Sequence, residues 1–582
     1  MPGRRQWVNK KIDADFSKIA ERYNISEIFA EVLVKRGLYT WQAMDSYLFP
    51  DMERMHPPES MKDLPKAADI LKQAVFKGGK ILVIGDYDVD GVLSSYILVR
   101  GIELLGGNAE YLIPHRSKDG YGVRTYMVED AYSRGIHTLM TCDNGISAMD
   151  AVVRAKELGM TFVLTDHHEV PVEDDAEVIP PADAVVNPKQ KDCRYPCKSL
   201  CGAGVAYKLM QYLFEENNIS DKLYELLPFA AIATVCDVVP LVDENRVIVS
   251  NGLKLISEQG EFENIGLRAL VDVLGIDRKL RAGHFGFRIG PCLNAAGRLE
   301  DAALGLELMF EKDSKKAFSI AEKLVSLNSE RKLKTSQAVE QAVRKIEEQK
   351  AFDMPVIVVY LEDCLESIAG IVAGRIREKY YRPALVLANG ENYLKGSGRS
   401  IPEYHMQQAL MEVSGLLVEF GGHAMAAGFS VLPENLDKLR TALNENCSLK
   451  TDEMAEKIVI DREVRLKEVT PELVSHLEWI EPVGMGNPKE IFEAKDLKVV
   501  SCSMCGKDKQ IARLRVREDE KVYDMVDFCA EDHIGEAVEC RYGKDAWENM
   551  KNGICGIKLD FLYRPEINEK YGGVQFVVLD CR

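Results

Sequence analysis

The sequence predicts an α/β protein of several domains: a parallel-sheet domain, a long connector helix, a second α/β domain and a C-terminal β-barrel. Three observations predict it. From about residue 80 to 190, short apolar runs alternate with helical stretches, the pattern of a parallel sheet covered on both faces. Residues 311–350 contain neither Gly nor Pro and carry an apolar stripe among many charges, which predicts one long helix. Beyond about residue 456 the chain breaks into short alternating runs, the texture of a small β-domain.

Residues 1–60 read as a helical lead-in, with apolar positions at helical spacing in IAERYNISEIFAEVLVKRG and an end at PPES. The first α/β domain is expected over 61–310. Its strands are ILVI (81–84), AEYLI (109–113), HTLMTC (137–142), TFVLT (161–165) and AVV (184–186). Helices are expected near 91–105, 123–134 and 147–158, and residues 200–330 read as mostly helical. The second α/β domain, 351–455, opens on PVIVVYL and runs to GGHAMAAGFSV. The last domain, 456–582, contains LKVVSCS, QIARLRVRE, KVYDMVDF, GICGIKLDFLY and GVQFVVLD, about five strands.

Composition narrows the class. The chain has 582 residues, 46% hydrophobic and 29% charged, a globular balance that excludes wholesale disorder. No apolar run approaches the roughly 18 residues that span a bilayer, so no membrane association is expected. The opening MPGRRQWVNKKIDADFSK has no apolar signal core, and the cytoplasm is the expected compartment. Fourteen cysteines over this length fit free thiols in a reducing compartment. Cys193, Cys197 and Cys201 are spaced too widely for a usual zinc site. Cys502 and Cys505 form a CxxC without a second pair, so zinc and a plain thiol pair both stay open. A net charge of −18 argues against a generally basic nucleic-acid binder, but not against a local basic track.

The informative feature is where the acids and histidines fall. Asp86, Asp88 and Asp90 follow the first strand, Asp143 follows HTLMTC, and Asp166, His167 and His168 follow TFVLT. Ligands bind at the carboxyl edge of an open parallel sheet. Aspartate also caps helices at such turns, so one acid alone is unremarkable; three groups, one with adjacent histidines, are not. Asp237 ends a further apolar segment, AIATVCDVVPL. Carboxylates and imidazole without thiolate suit Mn²⁺ or Mg²⁺, and two such ions would promote an in-line phosphoryl displacement.

GDYDVDG, TCDNGIS, TDHH and CDVVPL, in that order, resemble the four phosphoesterase motifs of the DHH superfamily, and GSGRS and GGHAMAAG resemble its DHH-associated domain. With NPKQKDCRYPCKSLCGAGVAYKL, FRIGPCLNAAGRLED and EPVGMGNPKEIF, the set resembles the superfamily's bacterial single-strand-specific 5′-to-3′ exonucleases from about residue 60 onward. The resemblance implies metal ligands at Asp88, Asp90, Asp143, His167 and Asp237, with Asp143 bridging two ions and Asp86 supporting or ligating. It implies that Asp166 orients its neighbours, that His168 faces the scissile phosphate, and that Arg116 and Arg298 bind substrate phosphates. It assigns Ser397 and Arg399 to the 5′-terminal phosphate, and lets His423 approach the nucleotide beside Gly421 and Gly422. The C-terminal domain resembles an OB-fold that tracks single-stranded DNA, with QIARLRVRE, Phe528, Phe561, Tyr563 and Phe576 as candidates for its surface or its core. Arg375, Arg377, Lys379, Arg382, Lys395 and Arg399 are where a strand is expected to run. Family membership further implies DNA recombination and repair, alongside a helicase and a single-strand-binding protein.

Two departures stand out. Leu365-Glu366 replaces a Trp-His pair often found in the family, and Cys236 replaces a small aliphatic residue before Asp237. Two rival readings are a phosphoesterase acting on short oligonucleotides or cyclic dinucleotides, and a non-catalytic scaffold. The extra β-domain weighs against the first, and the filled ligand positions against the second.

Overall fold

The computed structural model describes residues 5–582 except 117, 121, 259–263, 278, 507–509 and 569–571. The first four residues of the lead-in, and Ser117 and Tyr121 of IPHRSKDGYG, lie outside the described residues. The chain divides into two compact units. One comprises Asp45–Gln337 with Glu481–Pro488; the other comprises Met1–Met44, Ala338–Ile480 and Lys489–Arg582. The segment read as a single lead-in therefore divides at Met44.

The catalytic unit is built on five strands, all parallel, in the spatial order Asn108–Leu112, Lys80–Ile84, Thr138–Thr141, Thr161–Thr165, Ala184–Val186. Alternate residues of these strands enter two different cores, as period-two geometry requires. Ile81, Val83, Met140 and Val163 join the helices Val89–Leu104, Gly202–Glu216 and Leu223–Cys236. Leu82, Ile84, Leu139 and Phe162 face the helices Thr125–Ser133 and Met149–Glu157. Burial on both faces explains why the strands read as unbroken apolar runs. The chain leaves Lys80–Ile84 toward one neighbour and later returns on its other side. That reversal opens a crevice beyond the carboxyl ends of Lys80–Ile84 and Thr138–Thr141.

The expected connector is a helix over Ser314–Glu348. Its first turns place Ala317, Ala321 and Leu324 in the catalytic core, and its last turns place Ala338, Ala342 and Ile346 in the core of the second α/β domain.

In the other unit, the α/β sheet runs Leu417–Gly422, Ala426–Val431, Leu394–Arg399, Ala384–Asn389, Ile357–Tyr360, and only the last pair is parallel. The C-terminal strands Phe492–Cys505, Ile511–Glu518, Lys521–Asp527, Val574–Cys581 and Lys558–Ile567 pair in that order, and the last closes on the first. This is the expected five-stranded barrel. Helical turns at Glu531–Lys551, which strand-type patterning does not reveal, sit between its third and fourth strands in sequence. A strand at Arg5–Asn9 was also not expected. It pairs in parallel with Glu456–Ile460, and Trp7 Nε1 donates to Asp580 Oδ2 at 2.7 Å.

Glu490 stands just before the first barrel strand and is 6% exposed. Burial pushes its carboxyl up to about 7. An acid raised in the fold binds its proton there more tightly than in the unfolded chain, so its contribution to stability declines as pH rises from about 4.5 through 7. Glu490→Gln is therefore expected to raise the melting temperature at pH 8 and leave it nearly unchanged at pH 5.

Candidate metal centre

Each group of the site is delivered by a turn at the carboxyl edge of the parallel sheet. After Ile84, Asp88 caps the helix Val89–Leu104, and its Oδ1 accepts from the Gly91 amide at 3.1 Å. Helix capping, the mundane role of an aspartate here, thus occupies one oxygen of Asp88. A Cβ on Gly91 would stand 2.4 Å from the Asp86 backbone, so glycine is required for this turn to close. Asp90 is in the first turn of the helix and buried. Its two oxygens accept from the amides of Gly202 and Ala203 at 2.6 and 2.8 Å, at the start of the helix Gly202–Glu216. The positive end of that helix favours the carboxylate form. Gly202 also lies against Asp143, with 2.6 Å between the Asp143 Cβ and any Cβ added to Gly202.

Asp143 follows Thr138–Thr141 in a left-handed conformation, φ 59°, which aspartate tolerates. Asn144 ties this turn to the first strand by donating to the carbonyls of Ile84 and Cys142 at 3.3 and 3.0 Å. After Thr161–Thr165, Asp166 is fully buried and accepts from the amides of Ile146, His167 and His168 and from His168 Nδ1 at 2.8 Å. It therefore holds the backbone of both histidines and the ring of His168. Asp237 arrives from the opposite kind of element, the carboxyl end of the helix Leu223–Cys236.

These groups converge. His167 Nε2 lies 3.0 Å from Asp143 Oδ1 and 3.6 Å from Asp90 Oδ2, and its Nδ1 lies 3.8 Å from Asp237 Oδ2. His168 Nδ1 lies 3.9 Å from Asp143 Oδ1. Three sets have ligand atoms all within 4.8 Å of one another: Asp143, His167 and His168; Asp90, His167 and Asp237; Asp86, Asp88 and Asp143. Among the described residues no such set contains a cysteine. Cys193, Cys197 and Cys201 are buried, and Cys201 caps the helix Gly202–Glu216 through its sulfur.

Electrostatics mark the same residues. Burial, then the neighbouring Asp88, pushes Asp86 up to about 8. Burial, then Asp90 and Asp88, pushes Asp237 up to about 9. Asp90 and Asp143 are raised for the same reasons. Burial lowers His167, whereas His168, although burial opposes its charge, is raised to about 9 by its bond to Asp166. Crowded carboxylates of this kind call for a cation. Asp86 Oδ1 and Asp237 Oδ2 are buried and have no hydrogen-bond partner among the described residues, so each has a lone pair to give. Oxygen donors with one or two imidazoles fit Mn²⁺ or Mg²⁺. The residues of this cluster are placed to bind such an ion.

Arg116 lays its guanidinium over the Tyr87 ring at 4.0 Å, and no hydrogen-bond partner among the described residues reaches its buried Nε. Tyr87, between two of the acids, thus shelves an arginine, a role its place in GDYDVDG did not suggest. Gly297 packs against the Tyr87 carbonyl, which brings Arg298 to the same turn.

In the second α/β domain, Ser397 and Arg399 lie on one face of the strand Leu394–Arg399, with Arg399 Nη1 3.4 Å from Ser397 Oγ. Gly370 of the facing helix Glu366–Tyr380 leaves room for both: an added Cβ would stand 2.8 Å from each side chain. Gly422 has φ 145°, and His423 is exposed in the turn that follows it. Several cations of the expected basic track have partners within the domain. Arg382 donates to the carbonyls of Met454, Tyr381 and Tyr380, Lys395 pairs with Glu419 at 2.6 Å, and Arg375 pairs with Glu378. Leu365 is exposed at the start of the helix Glu366–Tyr380. In the barrel, Phe561, Tyr563 and Phe576 are core and Phe528 is exposed, while Arg513, Arg515 and Arg517 alternate outward along one strand.

The profile of the DHH family, N-terminal domain, matches residues 80–234, that of the DHHA1 domain 353–449 and that of the RecJ OB domain 460–580. Fold and site together define a metal-dependent phosphoesterase of the DHH class. The single-stranded-DNA-specific exonuclease RecJ of Escherichia coli K12 is 34% identical over 488 residues, 80% of this chain and 83% of that one. The protein of the same name from Bacillus subtilis 168 is 34% identical over 534 residues; the match takes in 91% of this chain and 66% of that one. The chain belongs to the RecJ family of single-stranded-DNA-specific exonucleases, which are hydrolases. A crystal structure of RecJ in complex with Mn²⁺ from Thermus thermophilus matches the whole chain and 80% of its own, with a TM-score of 0.81 at 24% identity. A second, of exonuclease RecJ bound to manganese, matches 66% of this chain and 94% of its own, with a TM-score of 0.57 at 32% identity. Among the described residues no helix is long and apolar enough to cross a membrane.

Proposed function

We propose that this chain degrades single-stranded DNA from the 5′ end, releasing nucleotides, with two Mn²⁺ or Mg²⁺ ions held by Asp88, Asp90, Asp143, His167 and Asp237 and supported by Asp86. The observation that carries this reading is the sharing of Asp143 between two ligand sets at the crevice of the parallel sheet. When bound, such ions polarise a water and stabilise charge on the phosphate oxygens. The side chains do the rest. Asp166 fixes the ring of His168 through Nδ1, so that a proton on Nε2 is the one presented to the scissile phosphate. Arg116, held flat by Tyr87, and Arg298 grip flanking phosphates. Ser397 and Arg399 receive the 5′-terminal phosphate, and Gly422 and His423 approach the end nucleotide. The setting is DNA recombination and repair in the cytoplasm, with a helicase and a single-strand-binding protein supplying the strand.

A long single strand labelled at its 5′ end tests the reading. With Mn²⁺ the label is expected to appear first, in a product of nucleotide size. Label released last, or cleavage of dinucleotides alone, would contradict it. Polarity is separable. A charge-assisted bond contributes about 1.5–3 kcal/mol, so Arg399→Ala should weaken binding to a 5′-phosphorylated end roughly 10- to 100-fold. Mn²⁺ affinity should not change; an equal loss of manganese would make Arg399 a structural residue.

A further inference from the structure

The segment Glu481–Pro488, EPVGMGNP, is far downstream in sequence yet folds with the catalytic unit. It is a tight hairpin. Gly484 and Asn487 exchange amide-to-carbonyl bonds at 2.9 and 3.1 Å, and Gly486 takes a left-handed φ of 69°. Arg246, 2% exposed, anchors it. Its guanidinium lies 3.9 Å from the Tyr47 ring centre and donates to the carbonyls of Tyr47 at 2.8 Å and Glu481 at 2.9 Å. The Tyr47 hydroxyl donates to Asn487 Oδ1 at 2.7 Å, and Asn487 Nδ2 donates to the Pro482 carbonyl at 2.8 Å.

What the hairpin holds is the loop that follows Asp237. The Leu241 amide donates to the Met485 carbonyl at 2.8 Å. Gly484 and Gly486 press on Leu241 and Pro240 so closely that added Cβ atoms would stand 2.8 and 2.9 Å from them. From within the catalytic unit, Asn245 Nδ2 donates to the Pro240 carbonyl at 3.0 Å and to the Ser199 carbonyl at 2.7 Å. Between these anchors and Asp237 lies Val238, with φ 60°. A β-branched residue takes that conformation only where its surroundings impose it. A loop without its anchors would relax Val238 and turn the peptide next to Asp237.

We propose that EPVGMGNP is a positioning strap: by clamping Pro240 and Leu241 it imposes the Val238 conformation and so aims the Asp237 carboxylate into the metal cluster. The proposal rests on Asp237 being a metal ligand. Its test uses the full chain and the metal alone. Mn²⁺ binding is titrated calorimetrically for Gly486→Ala, Tyr47→Phe and Asp237→Ala, and the metal-free proteins are melted in parallel. Groups that orient a ligand contribute on the order of 10-fold to metal affinity, and Gly486→Ala is expected to lose about that much. Tyr47→Phe, which keeps the ring under Arg246, removes one hydrogen bond and should lose about threefold. Turnover of both on single-stranded DNA should return toward the parental value at high Mn²⁺. If Asp237→Ala weakens manganese while Tyr47→Phe and Gly486→Ala only melt earlier, the strap is a staple and the proposal falls. If Asp237→Ala itself leaves the affinity unchanged, the ligand assignment fails and the strap's role fails with it. Should Gly486→Ala not fold, Tyr47→Phe alone decides.

Discussion

Asp143→Ala is expected to reduce nuclease turnover by at least about 10³-fold, with the fold intact. Removing one partner from a preorganised electrostatic site costs on the order of 10²–10³ in rate, and Asp143 belongs to two of the three ligand sets. Its carboxylate also stands 3.0 Å from His167 Nε2, so one substitution disturbs both of those sets and a histidine together. The turn itself should survive, because Asn144 ties it to the first strand through the carbonyls of Ile84 and Cys142. Single-turnover cleavage at saturating Mn²⁺ checks this, with far-UV circular dichroism to confirm folding. Unchanged cleavage would remove Asp143 from the mechanism.

Lys208→Met should destabilise the catalytic unit by about 3–5 kcal/mol, the cost of leaving one charge of a buried pair without its partner. Lys208 and Glu244 side chains are both fully buried, 3.0 Å apart. Glu244 also accepts from the His56 amide at 2.7 Å and from the Tyr195 hydroxyl, and Lys208 donates to the His56 carbonyl at 2.6 Å. The network therefore pins the HPP segment to the helices Gly202–Glu216 and Asp243–Glu258. The first of these also presents the Gly202 and Ala203 amides to Asp90. Urea unfolding measures the loss. Adding Glu244→Leu to Lys208→Met should recover part of it, because the orphan carboxylate goes too; no recovery would show that packing, not charge, is at stake.

What the sequence conveyed, and what it withheld, follows from the range of the interactions. The five catalytic strands could be read because each is a short apolar run buried on both faces. Their carboxyl-terminal acids could be read because topology places them on one edge. The long helix was readable from its lack of Gly and Pro. Contacts between distant segments were not. Arg5–Asn9 falls in what reads as a helical lead-in, and only its pairing with Glu456–Ile460 makes it a strand. Tyr87 gives no sign of its arginine. Gly202 falls in a stretch that reads only as mostly helical, with no sign of the space it leaves for Asp90 and Asp143. Arg382 looks like a strand-binding cation, yet its Nη1 turns to the backbone carbonyls of Tyr380, Tyr381 and Met454. EPVGMGNP stands out as a motif, but its place against Pro240 and Leu241 depends on a contact across more than two hundred residues.

The central claim is that Asp86, Asp88, Asp90, Asp143, His167 and Asp237 hold the ions that hydrolyse DNA. Manganese anomalous scattering from crystals of the full chain tests it most directly. Two peaks are expected within coordination distance of these side chains, with Asp143 next to both. Manganese located at the cysteines, or absent from this cluster at concentrations that support cleavage, would contradict the account.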